Sequence, residues 1–202
     1  MKEKSDKLLL GIFVFLISWF FATWVHELGH FIALFFVGCT MAMFWINMIS
    51  AGYTECISNE NFWHELSNNQ AIFATYSTFI LLFLVGTLMF FLYRYSNFIK
   101  QRPSLSIIFY FLTFSTLTNG FLQLLSGGDQ YYLLTLGFNS VYSYFFALFF
   151  GIFIFLHIKS FKKFLARVEP KIDKKSAKIL RVIFSIIVVL IYAGWISYSL
   201  FF

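Results

Sequence analysis

Five stretches of this chain stay apolar for about 20 residues, the length at which an α-helix crosses the roughly 30 Å of hydrocarbon in a bilayer. They cover about 8–37, 71–93, 104–125, 141–158 and 179–202. Lipid offers backbone amides no water, so each stretch satisfies its own by coiling into a helix. Composition agrees: the 202 residues are 60% hydrophobic and 12% charged, against about 25% charge in soluble domains. The expected fold is an all-α membrane bundle of about five transmembrane helices, forming one membrane-embedded domain over residues 1–202. The first apolar run follows basic residues, as a signal peptide would. It is too long for an h-region and no A-x-A-like cleavage site follows, so it reads as a retained helix.

The net charge of +6 is bunched. Lys2, Lys4 and Lys7 precede the first run, Arg94, Lys100 and Arg102 stand between the second and third, and a basic set runs from Lys159 to Arg181. The segments 38–70 and 126–140 carry no Lys or Arg. Bunching between apolar runs is what the positive-inside bias produces. It implies a multi-pass protein of the cell membrane with a cytoplasmic N-terminus and an outward C-terminus. The lipid bilayer is the expected partner and nucleic acid is not.

The outward segment 38–70 opens with "TMAMFWINMISAGYTEC", apolar and rich in β-formers, with turn candidates at Asn47 and Ser50-Ala51-Gly52. It is too short to span as a helix. A short re-entrant β-hairpin after the first helix fits it, and extended backbone at membrane depth must be covered by protein or line a wet cavity.

Within the first apolar run stands "HELGH": His26, Glu27, Leu28, Gly29, His30. On a helix, i and i+4 share a face, so both imidazoles can point at one metal ion. Neutral imidazole is a good zinc ligand. Glu27 follows the first ligand directly, where it can take a proton from a metal-activated water as general base. This is the H-E-x-x-H arrangement of metalloproteases. The competing reading is a buried histidine pair bonded to a glutamate for packing, although ionisable groups inside a span are functional candidates by default. A second "HEL" at His64-Glu65-Leu66 has Asn68 where the pattern needs histidine, and reads as a solvated loop.

A catalytic zinc takes three protein ligands and keeps an open position. About 27 Å of helix separates Leu8 from His26, which puts the pair near the outer boundary of the hydrocarbon. Asp129, at the outer end of the third run in "QLLSGGDQYY", falls at the same level. Gly127 and Gly128 would let the chain turn its carboxylate inward. Asp129 is the preferred third ligand, with Glu55, Glu60 and Glu65 of the outer loop as alternatives.

These residues resemble the site-2 protease family of intramembrane zinc metalloproteases. Its members carry HExxH on one core helix, then an intervening helix, then a third core helix with an aspartate ligand. Gly38 and the extended segment ending "SAGY" are similar to that family's membrane-associated strands. The resemblance covers 24–53 and the third run to Asp129, and would make this chain a divergent, minimal member. The family's aspartate usually follows an Asn-x-x-Pro element. Here Asn119 precedes Asp129 with no intervening proline, and "GGDQ" stands in place of Leu-Asp-Gly. The resemblance implies a Zn2+-dependent endopeptidase cleaving a membrane-spanning or membrane-associated protein or peptide. Asn119 is then a candidate for positioning substrate. Trp45 and Asn47 are candidates for holding it as an added strand beside the hairpin.

Two other classes compete. A catalytically inactive membrane scaffold is disfavoured by the intact HExxH. A transporter with a metal site predicts ionisable residues at several depths, whereas 104–125 and 141–156 have no Asp, Glu, His, Lys or Arg. Cys39 and Cys56 bracket the hairpin, and two inert buried thiols are preferred over a bridge. His157, beside Lys159 at the end of the fourth run, reads as an interfacial side chain.

Overall fold

The computed structural model describes residues 2–46, 52–59 and 61–168. Among the described residues eight helices and two strands follow in the order α1 (Lys2–Phe36), β1 (Ala42–Ile46), β2 (Gly52–Cys56), α2 (Phe62–Glu65), α3 (Asn68–Tyr95), α4 (Asn97–Gln101), α5 (Pro103–Ser126), α6 (Gly128–Thr135), α7 (Ser140–Lys159) and α8 (Phe161–Val168). Among the described residues four segments are long and apolar enough to cross a membrane: Ile12–Phe36, Asn68–Tyr95, Leu105–Thr135 and Ser140–Phe164. They match the first four expected spans. The fifth, 179–202, lies outside the described residues, as does Asn47.

α1, α3 and α5 pack against one another, and α7 lies mainly along α5. Their shared core joins Val25, Phe79, Leu82, Leu117, Leu124, Leu133 and Phe150. Large apolar side chains such as Phe36, Leu84, Phe145 and Phe155 stay on the outside. That is unfavourable in water and natural in lipid, in keeping with a membrane protein. Close helix approach needs small residues at the contact. A β-carbon at Gly29 would lie 2.6 Å from Cα of Thr78, so α1 and α3 touch backbone to backbone inside the HELGH motif.

α1 ends at Gly38, whose φ of 104° suits a residue without a side chain. Cys39 N–H returns to Leu34 O (2.9 Å) and Gly38 N–H to Phe35 O (3.3 Å), the paired bonds of a Schellman stop. The chain then reverses into the expected hairpin. β1 and β2 pair antiparallel, with Ala42 opposite Cys56, Phe44 opposite Thr54 and Trp45 opposite Tyr53. A disulfide joins Cys39 to Cys56 across a Cα separation of 5.9 Å. This corrects the expectation of two inert thiols: the register returns Cys56 to the end of α1.

His157 also departs from expectation. It is fully buried rather than interfacial, because α8 folds back and packs Phe161 and Phe164 around Tyr93 and Tyr110 at that end.

Candidate metal centre

One helical turn separates His26 from His30 on α1, and their rings stand 5.0 Å apart, edge to face. Both are buried, as is Glu27 between them at 3% exposure. The third group comes from far along the chain. α5 breaks at Gly127, whose extended backbone (φ −68°, ψ 164°) ends one helix and caps the next. A β-carbon there would collide with the Gln123 side chain, so glycine lets the break stay tight. α6 restarts at Gly128 and places Asp129 in its first turn rather than in an open loop. Asp129 Oδ2 lies 3.1 Å from His26 Nε2 and 3.2 Å from His30 Nε2.

These distances fit a metal site. His30 Nδ1 lies 3.2 Å from the Ala74 carbonyl on α3. A carbonyl only accepts, so Nδ1 carries the hydrogen and donates it. With Nδ1 so occupied, His30 turns its Nε2 to Asp129 Oδ2, within hydrogen-bond distance. A proton shared between the two atoms, or a metal ion taken up between them, would each hold them at this distance. Atoms about 2.0–2.1 Å from a tetrahedral zinc stand about 3.3 Å from one another, near both observed separations. The three ligand atoms lie within 4.8 Å of one another. The Ala74 carbonyl is the kind of outer partner that fixes ring orientation and tautomer where a histidine binds metal.

Glu27 stands beside this trio. Its Oε1 is 4.0 Å from His26 Nε2, and its Oε2 accepts a hydrogen bond from Thr54 Oγ1 at 2.8 Å. The site opens into a cavity of about 470 Å³ whose wall includes Thr23, Tyr53, Trp63, Asn119, Gln123 and Tyr132. Such a volume lies within the range of small-ligand pockets.

The structure therefore brings together His26, Glu27, His30 and Asp129. Asn119 sits in the cavity wall, its Oδ1 buried and without a hydrogen-bond partner among the described residues. Trp45 lies on β1 opposite Tyr53. The competing acids are elsewhere: Glu55 and Glu65 are exposed, Glu65 being held by Asn59, and Glu60 lies outside the described residues. His64 of the broken repeat is exposed too. Sequence reasoning missed Gly52, Thr54 and Trp63. The spacing Gly52-x-Thr54-x-Cys56 puts three small residues on one strand face, the signal that could have found the first two. No protein-family model matches the chain, and neither does a curated protein or a solved structure.

Proposed function

We propose that this chain is a membrane-embedded zinc endopeptidase acting on a membrane-spanning or membrane-associated polypeptide. The observation that supports it most is the convergence of His26, His30 and Asp129 beside Glu27, on a cavity, with His30 and Asp129 standing 99 residues apart in the chain. Two imidazoles and one carboxylate form a donor set typical of catalytic zinc, with one position left open. Zinc held there supplies a Lewis acid that polarises the scissile carbonyl and acidifies water.

The chain's own groups do the rest. Glu27 Oε1 faces the ligand trio and takes the proton of the attacking water. The water oxygen bonds to the carbonyl carbon, the C–N bond breaks, and Glu27 delivers its proton to the departing amine. Helical backbone is already hydrogen-bonded, so the substrate unwinds locally before it is cut. It then lies as an added strand along the hairpin, where main-chain bonding holds it extended. Asn119 contributes a polar contact from the cavity wall. The basic segments mark the cytoplasmic side and the site faces the outer side.

The test uses the full chain purified in detergent and reconstituted with a library of single-span peptides, products being read by mass spectrometry. Wild type is expected to hold about one zinc per chain and His26→Ala none. Glu27→Gln keeps the zinc and slows cleavage by about 10²- to 10⁴-fold. Cleavage by Glu27→Gln at the wild-type rate overturns the reading.

A further inference from the structure

We infer that β2 is a positioning strand for the general base: Thr54 tethers one oxygen of Glu27, and the missing side chain of Gly52 lets the strand close over the other. The inference rests on the hydrolase reading and deepens it.

Alternate residues of a strand share a face. On β2 that face carries Gly52, Thr54 and Cys56, and all three engage α1 or its end. A β-carbon on Gly52 would lie 2.6 Å from Glu27 Cδ and 2.7 Å from Oε1. Gly52 does not have positive φ, so backbone freedom is not what its glycine supplies; clearance above the carboxylate is. Thr54 Oγ1–H donates to Glu27 Oε2 at 2.8 Å and also lies 3.2 Å from the Glu27 carbonyl oxygen. Cys56 closes the disulfide to Cys39. Trp63 Nε1–H donates to the Thr54 carbonyl at 3.1 Å, so Thr54 is held from both sides of the strand.

The consequence is chemical asymmetry in one carboxylate. The terminal torsion of a glutamate is broad and roughly two-fold, so an untethered group presents either oxygen in many orientations. Here Oε2 is occupied by a hydroxyl and Oε1 is left toward His26 and the cavity. A base whose accepting oxygen is preset avoids reorganisation at the moment of proton transfer. Thr54 lines the cavity but contacts neither His26, His30 nor Asp129; its hydroxyl is spent on Glu27, and it is a positioning residue acting through Glu27.

The experiment measures zinc content, KM and kcat of the full chain on whichever library peptide wild type cuts. Thr54→Val is expected to keep its zinc and KM while kcat falls by about tenfold to a hundredfold, the usual range for losing an outer hydrogen-bond partner. Thr54→Ser, which restores the hydroxyl, returns most of the rate. Gly52→Ala also lowers kcat with zinc retained. A kcat for Thr54→Val within twofold of wild type overturns the inference, as does a Thr54→Ser variant as slow as Thr54→Val. If Thr54→Val does not accumulate, Thr54→Ala takes its place.

Thermal melting of the cycle Thr54→Val, Glu27→Leu and the double variant reads the bond without catalysis. Bonded residues give shifts that fall short of additive, and additive shifts overturn the tether. Equal cutting by wild type and Glu27→Gln removes the hydrolase reading, while the melting cycle still reports on the tether.

Discussion

Near the start of α3, His30 is buried against Ala74 with His26 beside it; near its far end, beside Tyr93, His157 is buried more completely still. Each cluster holds an imidazole on a backbone carbonyl: His30 Nδ1 on Ala74, His157 Nε2 on Tyr110 at 3.0 Å. The difference lies in what the ring meets next. His157 stacks on Tyr110 at 4.1 Å, and Phe164 stacks on Tyr110 at 4.4 Å. His30 instead turns its second nitrogen to a carboxylate and a cavity. Burial does not distinguish a structural histidine from a ligand. A second ring nitrogen meeting an acid at one point beside a cavity marks a candidate ligand.

The sharpest way to break this contrast is to remove the acid. Asp129→Asn keeps the shape and removes the charge, and is expected to abolish stoichiometric zinc binding, read by titration against a chromogenic chelator. Cleavage should fall with it to the level of His26→Ala. Retention of one tight zinc per chain by Asp129→Asn would leave the two ends alike.

The hairpin makes the second test, because it braces the site end alone. Closing a loop of about 15 residues is worth about 3 kcal/mol by the chain-entropy estimate, and Cys39 and Cys56 are 17 apart. Cys39→Ser with Cys56→Ser should lower the melting midpoint. It should also expose the hairpin to added protease, with the α5–α7–α8 end unaffected. An unchanged midpoint would show that packing of Trp63 and Val37 on the hairpin suffices. Gly29→Ala comes next. Its β-carbon would meet the Thr78 backbone at 2.6 Å, so α1 must shift from α3. Overpacking of this kind costs about 1–3 kcal/mol, and it loosens the His30–Ala74 bond enough to weaken zinc affinity. Stability loss without any change in zinc affinity would make the close approach structural only.

Much of this was legible because lipid imposes simple rules. Apolar run length marked the four spans among the described residues, and helical periodicity put His26 and His30 on one face. Counting depth then singled out Asp129, since two helices crossing the same slab bring equal counts to equal levels. What stayed hidden depends on partners that one-dimensional pattern does not name. Nothing near His157 tells that α8 will fold back over it, and adjacency to Lys159 suggests an interface instead. Strand alternation groups Gly52, Thr54 and Cys56 but does not say which face turns to α1. The Cys39–Cys56 bridge depends on the same register, which neither cysteine reveals by itself.

The smallest expected effect lies at the other end. His157→Phe keeps an aromatic ring, slightly larger, against Tyr110, Tyr93 and Phe90, so the ring contacts survive. It loses the Nε2–H bond to the Tyr110 carbonyl, a loss worth about 1 kcal/mol for a typical buried bond. Tyr110 lies within α5, so its carbonyl keeps the helical acceptor role and the loss is softened. Exchanging a buried imidazole for an apolar ring also relieves desolvation of the second nitrogen. The melting midpoint should therefore move by only a few degrees, while zinc affinity and cleavage stay at wild type. His26→Phe, with the same change of side chain, should lose both. If His157→Phe also released zinc, the helices would be transmitting a rearrangement across the bundle, and the separation between a structural end and a chemical end would give way to one coupled unit.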